Sequence, residues 1–236
     1  MRVLSIDTAT EAASCAVIED ERLLGEITFN FEKQHSVILM TSVDSLLSSL
    51  HIDISSIDGF VSSKGPGSFT GLRIGMSTIK GLCFGSQKPF ISVSTLDALA
   101  YNLAYSGGII CPILDALRNN VYTALYKFKG EELVRVSDYM VISIDELVST
   151  LSQEEKVCFI GDGTAKFKNI LKESIPGSCF APAHLNLARA SALGELGLKL
   201  LKDGLSEDLN TSTPIYLRKS QAEREYDKKM GLVDNE

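Results

Sequence analysis

The chain has 236 residues, 44% of them hydrophobic and 22% charged, which is enough apolar side chain for a core and excludes general disorder. Its 23 Lys+Arg against 30 Asp+Glu leave a formal charge of −7, which works against long-range attraction to a polyanion and so against a free-standing nucleic-acid binder. Met1-Arg2-Val3 runs into Asp7 before a signal-peptide apolar segment forms, and no stretch approaches the roughly 20 apolar residues that span a bilayer, so the expected location is the cytoplasm.

Three short strands are expected first, at residues 3–6, 14–18 and 23–29, parted by polar turns at 7–11 and 19–22, and such short connections imply antiparallel pairing. Leu39, Val43, Leu46, Leu47 and Leu50 recur at three- to four-residue spacing and predict a helix from about His35 to Leu50. A strand at Gly59–Ser63, a glycine-rich turn at 65–71, a helix over about 72–84, a strand at Phe90–Val93 and a helix over 95–105 complete the first half. After Gly107-Gly108 a similar order restarts. Strands at 109–114, 121–128 and 133–142 lead to a helix at about 145–151, a strand at Val157–Ile160, a helix at 165–171 and an amphipathic helix at 187–201. Residues 218–236 cluster charge, as in Glu223-Arg-Glu-Tyr-Asp-Lys-Lys229, and are expected to form a solvated tail.

This order is not a plain alternation of strand and helix. It resembles the two-lobed actin, Hsp70 and sugar-kinase (ASKHA) fold, an α/β architecture in which each lobe is a mixed sheet flanked by helices. The expected lobes are 1–105 and 106–236, the second a degenerate copy of the first.

The strongest local signal is Gly65-Pro-Gly-Ser-Phe-Thr-Gly-Leu-Arg-Ile-Gly75 at a strand-to-helix turn. Ser68 or Thr70 can cap the helix, and its free N–H groups can hold an anion; the competing reading is a tight turn that lets the helix lie close on the sheet. A P-loop is excluded because GxxxxGK[ST] is absent. Asp7, Thr8 and Thr10 in the first hairpin, with Gly65, Gly67 and Ser68, are the candidate phosphate or nucleotide contacts, although Ala9 stands where this superfold commonly has a glycine. In the second half, Asp115-Ala-Leu-Arg-Asn-Asn-Val-Tyr122 occupies the equivalent hairpin, and Asn119-Asn120 suits the left-handed backbone of a tight turn. The five cysteines (Cys15, Cys83, Cys111, Cys158, Cys179) are odd in number, widely spaced and without a CxxC pair, and read as buried free thiols in a reducing compartment. His35, His51 and His184 offer no pair at metal-ligand spacing.

Leu4-Ser-Ile-Asp-Thr-Ala-Thr10, the glycine-rich run followed by Lys80-Gly81, Val93-Ser-Thr-Leu-Asp-Ala-Leu99 and Pro214-Ile-Tyr-Leu-Arg218 together resemble the TsaB (YeaZ) family over nearly the whole chain. The resemblance implies a bacterial, non-catalytic subunit in the synthesis of threonylcarbamoyladenosine next to the tRNA anticodon. It implies a heterodimer with the catalytic paralogue TsaD, a ternary complex with the ATPase TsaE, and a homodimer when TsaD is absent. It further implies that tRNA is met only through the complex, and that no cofactor is intrinsic, with ATP or ADP belonging to the assembly. Matching the paralogue's HxxxH metal pair to this chain puts Thr95 and Leu99 at the ligand positions, of which threonine is a poor ligand and leucine none. The implied docking face lies on the outer sides of two helices, at Val37, Thr41, Ser45 and Ser48 and at Ile74, Ser77, Thr78 and Gly81. The alternatives are a small-molecule kinase or ATPase of the same superfold and, less favoured by the donor set, a glycoprotease-like metallopeptidase.

Overall fold

β1 (Arg2–Asp7) and β2 (Ala13–Glu19) bury almost every side chain, so neither shows the alternation of a half-exposed strand. With β3 (Arg22–Phe29) they form an antiparallel meander. After α1 (His35–Leu50), β4 (Gly59–Ser63) joins β1 in parallel; after α2 (Phe69–Ser86), β5 (Phe90–Val93) joins β4 in parallel, giving the order β3-β2-β1-β4-β5. Leu39, Val43, Leu46 and Leu47 of α1 and Ile79 and Cys83 of α2 cover one face of this sheet. The computed structural model behind this description covers residues 1–30, 35–219 and 221–230.

The short helix α3 (Thr95–Tyr101) leads to a second sheet on the same plan. It contains β6 (Ile109–Asp115), β7 (Asn120–Thr123), an inserted hairpin of β8 (Tyr126–Lys129) and β9 (Glu132–Arg135), and β10 (Met140–Ser143). After α4 (Ile144–Leu151) come β11 (Val157–Ile160), α5 (Gly163–Ser174) and β12 (Ser178–Phe180). The order β10-β7-β6-β11-β12 repeats the first sheet, antiparallel on one side of its central strand and parallel on the other. Two mixed sheets flanked by helices are the architecture expected from the sequence.

The third helix of each half crosses to the other sheet. Leu96, Leu99 and Ala100 of α3 form an apolar seam with Ile110, Leu114, Tyr126 and Ile160. In return, α6 (Ala190–Lys202) lies on the first sheet, where Leu193, Leu198 and Leu201 meet Val3, Ile18 and Val61. α6 has no side-chain cap from its own N-cap residue. Its first turn is satisfied by the first lobe instead: Ser191 N–H donates to Glu26 Oε1 (2.9 Å), Ala190 N–H donates to Ser14 Oγ (3.0 Å), and Arg189 pairs with Glu26. α6, which falls within the expected lobe 106–236, thus packs on the first sheet.

Local differences from the sequence expectation have identifiable causes. The strand expected over 121–128 breaks at Ala124-Leu125, where Leu125 N–H donates to Ser137 Oγ (2.9 Å) and its carbonyl accepts from Val136 N–H (2.7 Å). The same corner divides the strand expected over 133–142 into β9 and β10. β12 is an addition, and it places Cys179 in register with Cys158 of β11. Their Cα atoms are 4.7 Å apart and the two form a disulfide, which corrects the expectation of five free thiols; Cys15, Cys83 and Cys111 are free and buried. The helix expected over 95–105 ends at Tyr101. Within the charged tail, α7 (Gln221–Met230) is helical, and Ser220 and residues 231–236 lie outside the described residues.

The glycine-rich turn enters α2 with Ser68 Oγ accepting from Gly71 N–H (3.2 Å). It presses directly on the first hairpin: Ser68 N–H donates to the Ala9 carbonyl (2.6 Å) and Thr8 Oγ1 donates to the Gly71 carbonyl (2.7 Å). A Cβ at Gly71 would lie 2.0 Å from the Thr8 carbonyl oxygen, and one at Gly67 would lie 2.2 Å from that of Ala9. Gly71→Ala is therefore expected to destabilise the fold by about 1–3 kcal/mol or more, the usual scale of overpacking. Gly81→Ala, which adds a methyl with nothing within 4 Å, should gain up to about 1 kcal/mol from helix propensity. Urea unfolding of the two variants followed by circular dichroism checks this contrast in sign.

Candidate functional site

The first hairpin and the glycine-rich turn spend most of their polar groups on each other. Thr8 is buried and bonded to Gly71, Ser68 caps its own helix, and Gly65 and Gly67 lie against the neighbouring chain. Asp7, at the end of β1, is fully buried; its Oδ1 accepts from Ala9 N–H (2.8 Å) and its Oδ2 has no hydrogen-bond partner among the described residues. Burial pushes its pKa up to about 6, against the partial offsets of the Ala9 N–H, the Ser63 hydroxyl and the nearby His35.

Between the lobes runs a cleft of about 470 Å³. Of the six candidate phosphate contacts, Thr10, Gly67 and Ser68 line it, while Asp7, Thr8 and Gly65 are not part of its wall. The opposite wall is the hairpin at Asp115–Leu117 with Asp162, and Ile215 to Lys219 run along the mouth. Asp162 keeps an exposed edge, yet enclosure raises its pKa to about 6, helped by the charges of Asp115 and Glu11 and opposed by the N–H of Asp115. Lys166 pairs with Asp115 at 3.0 Å. The turn itself departs from expectation: the left-handed backbone falls on Leu117, Arg118 and Asn119 (φ 64°, 52° and 62°), while Asn120 already opens β7. Among the described residues, no group of three or more His, Cys, Asp or Glu side chains is gathered in a metal-holding arrangement.

Thr95 and Leu99 both lie on α3 and are completely buried. Thr95 N–H donates to the Gly65 carbonyl (3.0 Å), and Leu99 packs in the apolar seam. Between them stands Asp97, which sequence reasoning passed over. It accepts from Tyr126 Oη (2.7 Å) and from Tyr139 Oη (3.0 and 2.9 Å to its two oxygens), and Arg135 stacks on the Tyr139 ring at 3.9 Å. Burial and the Asp97 charge push Tyr139 up to about 12 and Tyr126 further in the same direction. A carboxylate flanked by Leu96, Ala98 and Leu99 was the available signal. Burial likewise pushes the thiols of Cys15, Cys83 and Cys111 up to about 12, which leaves them poor nucleophiles.

The outer faces of α1 and α2 are unlike ordinary solvent faces. Val37, Thr41, Ser45, Ser48, Ser77 and Gly81 are exposed, whereas Ile74 and Thr78 are partly covered, with Thr78 Oγ1 donating to the Ile74 carbonyl (2.9 Å). The structure adds Met40 (48% exposed) and Phe84 (74%) to Val37 (68%). Asp44 and Arg73 are the charged members of the fourteen exposed residues of the two helices.

The family described as TsaD: tRNA N6-adenosine threonylcarbamoyltransferase matches residues 23–226. The tRNA threonylcarbamoyladenosine biosynthesis protein TsaB of Bacillus subtilis is 33% identical over 228 residues, covering 96% of this chain and 98% of that protein. Among solved structures, YeaZ from Pseudomonas aeruginosa superposes with a TM-score of 0.77 at 24% identity, over 92% of this chain and 99% of its own. A ROK hexokinase from Thermus thermophilus superposes with a TM-score of 0.50 at 11% identity, over 86% of this chain and 100% of its own, which places the fold in the sugar-kinase-like class.

The buried Asp7 makes stability depend on pH. With a pKa raised from 3.8 to about 6, its contribution is full below the unfolded value and is lost as pH rises through the folded one. The loss is on the order of 2–3 kcal/mol. Asp7→Asn, which keeps the Oδ1 acceptor, is expected to flatten much of the fall in Tm between about pH 4 and pH 7. Thermal melts of both proteins across that range check it.

Proposed function

This chain belongs to the TsaB (YeaZ) family and takes part in tRNA threonylcarbamoyladenosine biosynthesis, and on that premise we propose that it is the non-catalytic partner of the paralogue TsaD, docking through the outer faces of α1 and α2. The observation that carries the reading is the exposed, nearly uncharged surface of those helices, with Val37, Met40 and Phe84 among small residues. Such a face desolvates few charges on association, and its small side chains let an opposing helix come near.

A non-catalytic role is supported by what occupies α3. At the paralogue's ligand positions Leu99 offers no donor atom, and the Thr95 hydroxyl is a poor one. The wider assembly includes TsaE as third member and uses ATP or ADP at the level of the complex. The same face pairs two copies of this chain when TsaD is absent, tRNA is met through the complex, and the work is done in the cytoplasm. The charge of −7 fits a protein that leaves most phosphate contacts to its partners.

Ser45→Arg and Gly81→Arg place a long cation on exposed sites of the face. Each is expected to weaken the TsaD heterodimer at least about 30-fold, roughly 2 kcal/mol, with far-UV circular dichroism and Tm essentially unchanged. Co-elution with TsaD on size exclusion, backed by calorimetric titration, reads the result. Wild-type affinity in both variants would remove the interface assignment.

A further inference from the structure

The Pro214-Ile-Tyr-Leu-Arg218 run lies outside the docking helices themselves, at the edge of α2, and it is tied down along its length. After α6 the chain returns along the free edge of β5, where Glu207 N–H donates to the Phe90 carbonyl (2.8 Å) and the Glu207 carboxylate accepts from Ser92 Oγ (2.7 Å). Lys80 Nζ of α2 then holds the Ser212 carbonyl (2.7 Å), and Ile215 N–H donates to the Lys64 carbonyl (2.7 Å). The Tyr216 ring stacks on Phe69 with centroids 4.2 Å apart, and its hydroxyl accepts from Arg73 Nε (3.1 Å). All these anchors belong to the first lobe. Two residues later Arg218 Nη1 donates to the carbonyl of Ala116 (2.6 Å), on the second-lobe hairpin across the cleft.

We propose that residues 212–218 are an interlobe latch, in which the first-lobe anchors fix the strap and Arg218 holds the second-lobe hairpin, so that the bond to Ala116 sets the width of the cleft. The hairpin is a fitting catch. Its next three residues, Leu117, Arg118 and Asn119, all adopt a left-handed backbone that L-residues enter unwillingly, so the turn is held against its local preference by contacts such as this one. A guanidinium on a main-chain carbonyl is a charge-assisted contact with one partner fixed in space, which suits a tie that holds one angle and can let go. Because Lys80, Arg73 and Phe69 all lie on α2, the latch also joins the hairpin to a helix of the docking face, and it stands whether or not that face binds TsaD.

The test uses the full chain, spin-labelled at Ser49→Cys on α1 and Lys172→Cys on α5 and diluted in an excess of unlabelled chain so that paired copies contribute no label-to-label distance, with the distance distribution read by pulsed electron paramagnetic resonance and amide exchange read in parallel. The expected result is one narrow distance in the parent, and in Arg218→Ala a distribution at least twice as broad with a longer component, with the Ile215 amide exchanging at least tenfold faster. Arg218→Lys, which keeps a cationic donor, should restore part of the narrow distance. Arg73→Ala, which releases Tyr216 at the other end of the strap, serves as the second variant where Arg218→Ala does not fold. A distance distribution as narrow as the parent's in the folded variants overturns the latch.

Discussion

The exchange of third helices between the two sheets is the constraint on which the rest of the molecule depends. Each sheet has its first two helices on one face and leaves the other face apolar, with Val3, Ile18 and Val61 on the first and Ile110, Leu114 and Ile160 on the second. Neither lobe covers that face from its own sheet-side connections. α6 brings Leu193, Leu198 and Leu201 to the first sheet, and three such side chains are worth about 5–9 kcal/mol of gross burial, comparable to the whole net stability of a domain. α3 returns the favour with Leu96 and Leu99. The capping of α6 by Glu26 and Ser14 adds direction to the exchange, because the helix finds partners for its first N–H groups on β3 and β2. The lobes are thus two sheets but one cooperative unit.

That exchange also decides what α3 can do. α3 is the element that joins the sheets, and Leu99 is needed in the seam. The remaining polar side chain of the helix interior, Asp97, is saturated by two tyrosine hydroxyls from β8 and the segment before β10, so it works as a second tie between the lobes. On the other side of the cleft, the glycine-rich turn and the first hairpin close on each other through backbone contacts too tight for any Cβ. Thr8, Ser68 and Gly71 are thereby committed to the fold itself.

How far the sequence revealed this follows from which interactions are local. The two-fold repetition of strand order was legible because hairpin turns, helical spacing and Gly or Pro punctuation are written within a few residues of each element. β12 was not, because Ser178–Phe180 is three residues long and owes its pairing to β11; with it went the Cys158–Cys179 disulfide, since 21 residues of separation say nothing of register. The corner at Leu125 depends on Ser137, twelve residues on, and could not be read from the run 121–128 alone. The glycine-rich motif left turn and anion cradle open in the sequence, because the contacts that hold the turn, Thr8 and Ala9, lie some sixty residues away. Asp97 and Arg218 were quoted in family motifs without a role because their partners, Tyr126, Tyr139 and Ala116, sit on the other lobe. Long-range polar ties were the part of this structure that a single chain conceals.

The proposed docking face gains its strongest physical argument from residues that do nothing for the monomer. Gly81 and Gly85 lie in the last turns of an eighteen-residue helix, where each costs about 1 kcal/mol relative to alanine. Glycines elsewhere have an internal reason: at Gly67 and Gly71 a methyl group would strike the backbone of the first hairpin. At Gly81 and Gly85 the added methyl would meet nothing within 4 Å among the described residues, so no contact there offsets the cost. What a missing Cβ on an exposed helix does provide is room for another backbone to approach. The same stretch exposes Phe84 at 74%, a side chain whose transfer from water becomes favourable only when something covers it. A bare backbone groove beside an uncovered aromatic ring, on a face with two charges, is unfavourable for a helix that stays in solvent and favourable for one that receives another helix.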